Sequence, residues 1–160
     1  MRWDEFAQAC PEIGHEADER FTRDQLVLLG TLARDGWPRI SPCEVDVVEG
    51  LLVFGMMWRS PKALDLRRDP RLVVHSAQCD REATEPDLKL YGMAQEIGER
   101  VLRDRYRAAV KARIDWEPEE PTFHVFSLDV HRAAMVVFRE GQEHVTTWDP
   151  DRGLRTWAKQ

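Results

Sequence analysis

Residues 30–75 decide the fold, and they read GTLARDGWPRISPCEVDVVEGLLVFGMMWRSPKALDLRRDPRLVVH. Three runs of strand length are separated by turn signals at Asp35-Gly36 and Glu49-Gly50, which are typical of hairpins. A short helical stretch and a fourth apolar run, ending at His75, follow them. We therefore expect three strands, one short helix and a fourth strand in this segment.

The two middle strands indicate the wall of a barrel. Arg39–Val47 alternates imperfectly between apolar and polar residues. It contains Pro42, and Pro38 lies immediately before it. Proline cannot donate to a strand ladder, so this strand is expected to be an edge or to be bulged there. Leu51–Trp58 is apolar on both faces, which suits a barrel wall covered outside by a helix or by a partner subunit.

The segment Ser60–Asp69 carries the clearest helix signals of the chain. Ser60 can act as the N-cap, Pro61 suits the first helical position, and Pro70 prevents the helix from continuing.

Hydrophobic patterning outside this segment predicts the elements that complete the barrel. We expect one domain over residues 1–160, with an N-terminal helix at about 3–20, a barrel core at about 25–138 and a C-terminal tail at 139–160. The further predicted elements are strands at Gln25–Leu32, Arg71–Ala77, Leu88–Ile97, Thr122–Leu128 and Ala133–Phe138, a loop at Gln78–Asp87, an amphipathic helix at Glu99–Ile114 and a polar tail from Gly141.

Composition excludes several classes of function. The net charge of −6 argues against a nucleic-acid binder, although it is compatible with a local basic pocket. No apolar run approaches the roughly 20 residues that cross a bilayer, and the first residues lack the apolar core of a signal peptide, so we expect no membrane association and a cytoplasmic protein. The 3 cysteines and 5 histidines have no metal-ligand spacing, and no metal site is predicted.

A basic cluster stands at the start of the predicted helix. A helix N-terminus offers free backbone N–H groups and the positive end of the dipole, which favour an anion. Arg59 and Lys62 oppose that dipole, so their position needs another reason, and a bound phosphate supplies one, with the Ser60 hydroxyl beside it. Arg39 and Ser41 lie on the neighbouring strand. The alternative is an ordinary capped helix whose Arg59 and Lys62 point to water.

Two glycines in predicted strands offer room for a flat ligand. Gly55 and Gly92 each remove a side chain where a ring could approach the backbone. Met56 and Met57 are typical core residues, but their backbone N–H and C=O groups could also face a ring.

The pattern of this region resembles that of a known family. The chain is similar to the pyridoxamine 5′-phosphate oxidase-like FMN-binding split-barrel superfamily, and most similar to its short bacterial branch of flavin- and deazaflavin-dependent reductases. The resemblance covers roughly Gln25–Ile97 and rests on Thr31-Leu32-x-x-Asp35-Gly36-x-Pro38-Arg39-x-Ser41-Pro42, then Gly55, then Ser60-x-Lys62-x-x-Asp65-Leu66-Arg67-Arg68-Asp69-Pro70-Arg71.

The resemblance implies a mainly β fold with flanking helices, a six-stranded antiparallel split β-barrel. It implies a homodimer with a cofactor, FMN or a deazaflavin coenzyme of the F-420 type, in each of two clefts at the subunit interface. The residues it assigns to the cofactor are Arg39, Ile40 and Ser41 on the ribityl–phosphate side, Gly55, Met56 and Met57 along the isoalloxazine through their backbones, and Ser60, Lys62 and Arg59 at the phosphate. The other subunit would add groups from later strands, and Trp148 and Trp157 are candidates to cover the ring.

One element of the family is missing. True pyridoxamine phosphate oxidases end with an Arg-x-His substrate element, and the C-terminal residues contain nothing like it. We therefore do not expect oxidation of vitamin B6. The loop Gln78–Asp87 and the helix Glu99–Ile114 also suggest a cleft shaped for another molecule.

Three functions stay open at this stage. The first is an oxidoreductase that passes hydride to a small organic substrate; the cofactor would carry the reaction, so no catalytic side chain is assigned. The second is a non-catalytic flavin or haem carrier or sensor, in which His75 or His124 could ligate the haem. The third is a dimerising scaffold with an empty cleft, since fold does not fix function. The sequence does not choose between FMN and the deazaflavin.

Overall fold

A computed structural model describes residues 1–77 and 84–159 of the chain. These residues form four helices and eight strands. In chain order the elements are α1 (Trp3–Ala9), α2 (Pro11–Asp24), β1 (Leu26–Leu32), β2 (Pro38–Val48), β3 (Leu51–Met57), α3 (Pro61–Arg68), β4 (Arg71–Ser76), β5 (Asp87–Glu96), α4 (Arg100–Ile114), β6 (Phe123–Arg139), β7 (Gln142–Asp149) and β8 (Gly153–Lys159).

Six strands close into an antiparallel barrel. Their order is β3-β2-β1-β4-β5-β6, and β6 pairs with β3 to complete the circle. β7 and β8 extend the sheet beyond β6. The predicted split barrel with flanking helices is therefore confirmed.

The wall is split between β2 and β3. The two strands pair only where Val45–Val48 faces Leu51–Phe54, whereas β2 stays paired with β1 as far as Pro38. Pro42, which has no N–H to donate, lies in the part of β2 that has left β3. The sequence led us to expect an edge strand or a bulge at Pro42, and the structure has an open edge there, where β2 has separated from β3.

The barrel interior holds the main core. Alternate residues of β1 and β4 point inward and are buried, such as Val27, Leu29 and Val74. α1 and α2 cover one side of this core, where the rings of Phe6 and Trp148 meet at 5.1 Å between centroids.

α4 covers the outside of β3 and of the adjoining part of β6, and we call this side the covered face. Tyr106 and Val110 of α4 pack there against Val53, Phe123 and Val125 in a second buried cluster. α4 is therefore the outer cover that was expected because β3 is apolar on both faces.

No described helix lies over the outer side of β1, β4 and β5, and we call this side the open face. Outward residues such as Gly30, Val73 and Tyr91 are only half-buried there, and Ile40 of β2 at its edge is 74% exposed.

The ends of the chain differ from the expectation. The predicted polar tail forms β7 and β8, and the two strands predicted at Thr122–Leu128 and Ala133–Phe138 are one strand, β6. β8 has no buried residue on either face, so it lacks the alternation that reveals a strand. The N-terminal helix is two helices, because Pro11 begins α2, which continues to Asp24.

Part of the predicted loop Gln78–Asp87 lies outside the described residues, and Asp87 itself already belongs to β5. Among the described helices, none combines the length and the hydropathy needed to cross a bilayer.

Candidate cofactor site

The site is built around the turn that leads from β3 into α3. Ser60 is the N-cap residue of α3, and its backbone N–H donates to Met57 O at 3.0 Å. Its hydroxyl makes no cap bond: Ser60 Oγ is buried and has no hydrogen-bond partner among the described residues. A buried hydroxyl without a partner costs free energy unless a ligand satisfies it. Because helix geometry leaves the first-turn N–H groups of Lys62 and Ala63 free as well, this end of α3 is suited to an anion.

Lys62 lies across the split in the barrel wall. Its Nζ donates to Pro42 O at 2.6 Å, so the ammonium group stands where β2 and β3 separate. Cys43 lies beside it and donates through Sγ to Gly55 O at 3.3 Å. Burial raises the pKa of the Cys43 thiol to about 11 despite the nearby lysine, which keeps it a neutral thiol. Cys43 is therefore a small buried residue of the barrel wall.

Arg39 is attached to α3 through a buried carboxylate. Asp65 Oδ2 accepts Arg39 Nε at 2.7 Å and Thr31 Oγ1 at 3.0 Å, and Asp65 Oδ1 accepts Arg68 Nη2 at 3.2 Å. Burial by itself would raise the pKa of Asp65, but the hydrogen bonds from Arg39, Thr31 and Arg68 outweigh it and hold the pKa below the ordinary value. The carboxylate thus stays charged and fixes Arg39 by its Nε, leaving both Nη groups without a partner in the described part of the chain.

Two basic grooves flank Arg39. One, of about 580 Å³, lies between α3 and the β1–β2 hairpin, where Arg34 and Arg68 line it together with Arg39. The other, of about 620 Å³, lies on the open face and reaches Arg132 of β6, whose guanidinium stands 4.2 Å above the Tyr91 ring. The acidic chain therefore does carry a local basic region. Sequence analysis missed Arg34, Tyr91 and Arg132, because only the barrel brings them near Arg39.

The remaining predicted residues are distributed differently. Ser41 is half-buried on β2, Ile40 points outward, Met56 is buried in the core, and Met57 is 81% exposed. Arg59 is exposed in the turn before Ser60. The structure thus brings Ser60, Lys62 and Arg39 together around the start of α3, whereas the side chains of Ile40 and Met56 point away from one another.

Both glycines that suggested room for a ring are explained by the chain's own packing. A Cβ added at Gly55 would overlap the hydroxyl of Tyr106, which α4 places against the outside of β3. A Cβ added at Gly92 would overlap Asp129 O at the bulge between β5 and β6. Neither glycine is evidence for a ligand, although the backbone of Gly55 keeps no β2 partner in the ladder.

The histidines and tryptophans named as candidates occupy varied places. His124 is 1% exposed and both ring nitrogens are engaged, while His75 Nδ1 contacts Ser76 O at 2.6 Å. Trp148 is buried in the core, and Trp157 on β8 is 43% exposed. Within residues 1–77 and 84–159 no group of His, Cys, Asp and Glu is arranged to hold a metal ion.

Comparison with known proteins agrees with this architecture. A family model described as pyridoxamine 5′-phosphate oxidase matches residues 13–137, most of the chain. The chain belongs to the pyridoxamine 5′-phosphate oxidase family. No curated protein matches this family member.

Solved structures share the fold at low sequence identity. A pyridoxamine 5′-phosphate oxidase-related, FMN-binding protein from Nostoc punctiforme has a TM-score of 0.63 and 14% identity, covering 94% of this chain and 96% of its own. PhzG from Burkholderia lata, in complex with tetrahydrophenazine-1-carboxylic acid, has a TM-score of 0.66 and 15% identity, with 90% and 87% covered. A haem-binding protein from Mycobacterium smegmatis has a TM-score of 0.61 and 23% identity, with 82% and 56% covered. At these identities the likeness establishes the fold alone.

Proposed function

We propose that this member of the family is a flavin-dependent oxidoreductase that binds FMN at the start of α3 and passes hydride to a small organic substrate. The observation that carries the proposal is the buried Ser60 Oγ, which has no described partner at the N-terminus of α3 and stands two residues before Lys62. A phosphate oxygen would accept from that hydroxyl and from the free first-turn N–H groups.

The residues around this helix end fit a phosphate ester. Lys62 supplies a point charge, and the free Nη groups of Arg39 supply a planar fork that Asp65 holds in place. Arg59 is a further candidate from the turn. Arg39, Ile40 and Ser41 would follow the ribityl chain along β2. Asp65 pairs with Arg39, whereas Lys62 and Arg59 form no ion pair with any described carboxylate, so positive charge prevails at this end of the helix.

The ring of the cofactor would lie against the end of β3. Beyond Phe54, β3 has no ladder partner on its β2 side. Gly55 O already accepts from Cys43 Sγ and Met57 O from the Ser60 N–H, so the segment Gly55, Met56 and Met57 would meet a ring through the backbone groups that remain. Bound FMN would supply the redox chemistry, its reduced form giving hydride to the acceptor while the flavin is oxidised. The protein's part is to bind, orient and shield, and no side chain is assigned a proton-transfer role.

A homodimer is part of the proposal. The open face presents half-buried apolar residues, and Ile40 and Trp37 beside it are 74% and 73% exposed. A second copy packed on this face would cover them and would close the 620 Å³ groove next to Arg39. Each cofactor would then lie between two subunits.

A deazaflavin coenzyme could occupy the same place, because it shares the ring system and the phosphate that Ser60 and Lys62 would bind. A haem carrier is supported less well. His124 would have to give up one of two hydrogen bonds to ligate iron, so only His75, half-buried on β4, remains of the two candidates.

The test is an absorption spectrum of the purified protein before and after addition of FMN, deazaflavin coenzyme and haemin, each separately. Flavin bands, from co-purified or captured FMN, followed by oxidation of the reduced complex by an organic acceptor, are the expected result. Bound FMN that no acceptor reoxidises faster than free FMN would indicate a carrier. Uptake of none of the three would overturn the proposal, and Ser60 would then be an uncapped helix start.

A further inference from the structure

The turn before α3 has a backbone conformation that needs external support. Arg59 has a φ of +54°, in the left-handed region that non-glycine residues seldom adopt. Such a residue persists where its surroundings hold it. The support comes from another strand, because the Arg59 N–H donates to His124 Nε2 at 3.2 Å.

The ring of His124 is itself fixed in one tautomer. Since Nε2 accepts a hydrogen bond, Nδ1 carries the proton, and it donates to Glu96 Oε1 at 2.7 Å. The Trp58 ring stacks on the imidazole at 4.6 Å with an angle of 7° between the planes. His124 is 1% exposed, so water does not compete for these bonds.

The same carboxylate connects the histidine to the far end of the helix. Glu96 Oε2 pairs with Arg67 Nε at 3.2 Å, and Arg67 lies in the last turn of α3. His124 therefore contacts the loop before α3 through Arg59, and Glu96 contacts the last helical turn of α3 through Arg67.

We propose that His124 is a positioning residue that sets the conformation of the turn Met57–Ser60 and thereby the phosphate end of the cofactor site. The proposal rests on the proposed function for its ligand, but its structural half concerns the protein alone. His124 would not touch the cofactor; it would act through the Arg59 backbone, which fixes where the Ser60 hydroxyl and the first turn of α3 point.

Loss of the Nε2 acceptor would remove this support. The Arg59 N–H would then lack its partner, and the turn would no longer be held in this conformation. The other ring contacts of His124, Trp58 and Phe126, offer no acceptor in its place. FMN affinity is thus expected to fall when the acceptor at position 124 is removed.

The structural half is tested on protein without cofactor, by amide hydrogen exchange in the turn Met57–Ser60. His124→Leu removes the acceptor of the Arg59 N–H and should speed exchange of that amide roughly five- to tenfold, the equivalent of about one hydrogen bond. His124→Gln keeps an acceptor and should exchange more nearly like the native chain. His15→Gln, on an exposed histidine of α2, should leave the rate unchanged. A native exchange rate in His124→Leu would overturn the inference.

The binding half is tested by FMN titration at one pH. His124→Leu should bind FMN roughly five- to tenfold more weakly than the native protein, the equivalent of about one hydrogen bond. His124→Gln, which keeps an acceptor for the Arg59 N–H, should recover most of that affinity. Native affinity in His124→Leu would contradict the role, whereas absence of FMN binding in the native protein and every variant would reject the proposed function and leave the exchange result to decide the positioning role.

Discussion

The covered and open faces of the barrel are built from similar strands but differ in what lies over them. On the covered face, Val53 and Val125 are almost fully buried beneath α4, and the gap at Gly55 is filled by the Tyr106 hydroxyl. On the open face, Val73 is only half-buried and Gly30 meets nothing closer than ordinary van der Waals contact. Within residues 1–77 and 84–159, a helix thus covers one face and none covers the other.

This difference shows where a ligand or partner has room. A glycine or an apolar strand indicates a binding surface only when no other part of the chain fills the space beside it. By that criterion the covered face is core, and the start of α3 together with the open face is the surface that a cofactor and a second copy could share.

The largest expected effect on folding is the burial of a charge on the covered face. Val53→Asp would place a carboxylate at a 1% exposed position with no partner, and we expect a loss of about 4 kcal/mol in the free energy of unfolding. Val73→Asp, the same change on the open face, should cost the single subunit about 1 kcal/mol, since water reaches this position where no second copy covers it. Urea unfolding of both variants, at a protein concentration that keeps the subunits apart, measures the difference. Equal losses would mean that the two faces are not distinct.

A smaller effect is expected from adding one methyl group at Gly55. Gly55→Ala would force Tyr106 to move and should lower the free energy of unfolding by about 1–3 kcal/mol through overpacking. Gly30→Ala is the matched control on the open face and should stay within about 0.5 kcal/mol of the native chain. Thermal unfolding followed by circular dichroism distinguishes them; a tolerated Gly55→Ala would show that Tyr106 does not fill this gap.

The Asp65 cluster predicts a dependence on acid. Because the folded pKa lies below the unfolded value near 3.9, the charged carboxylate stabilises the protein above that value, and the contribution is lost as the pH falls through the lowered folded pKa. Asp65→Asn should lower the free energy of unfolding at pH 7 by about 1–2 kcal/mol, a modest figure because Arg39 and Arg68 are partly exposed.

The native chain and Asp65→Asn should therefore converge in stability once the pH lies below the lowered folded pKa, where both carry a neutral group. A difference between their urea midpoints that stays constant from neutral pH into acid would contradict the assignment of the charge to Asp65.

The smallest effect on folding, and a large one on assembly, is expected at Ile40. Ile40→Asp changes a 74% exposed side chain, so the free energy of folding of one subunit should change by less than about 0.5 kcal/mol. Its charge would oppose association across the open face and should convert the proposed dimer into a monomer in sedimentation velocity runs. Val101→Asp, on the exposed side of α4, should stay dimeric; a native monomer would remove this part of the proposal.

Local signals predicted β1, β2, β3 and the bounds of α3, whereas the closed six-stranded barrel was what the family resemblance implied. Turn residues separate β1 from β2 and β2 from β3, and the prolines at 61 and 70 bracket α3. β8 was not predicted because both of its faces are exposed. β6 was predicted as two strands because the polar residues in its middle resemble those of a turn.

The candidate site was predictable only where it is local. Arg59, Ser60 and Lys62 lie close together in the sequence, so the preference of a helix N-terminus for an anion was enough to identify them. The bonds that shape the site join distant parts of the chain: Asp65 with Thr31 and His124 with Arg59. Nothing in a single sequence marks such a histidine as a support for a turn rather than as core or as a haem ligand.

The central claim is that the start of α3 binds the phosphate of FMN, and the FMN dissociation constant of Lys62→Ala tests it most directly. Loss of one charged contact to phosphate should weaken binding roughly 10- to 100-fold relative to the native protein. Lys89→Ala, on β5 and paired with Asp87, is the matched control and should bind like the native chain. Native affinity in Lys62→Ala, with FMN bound elsewhere, would contradict the account.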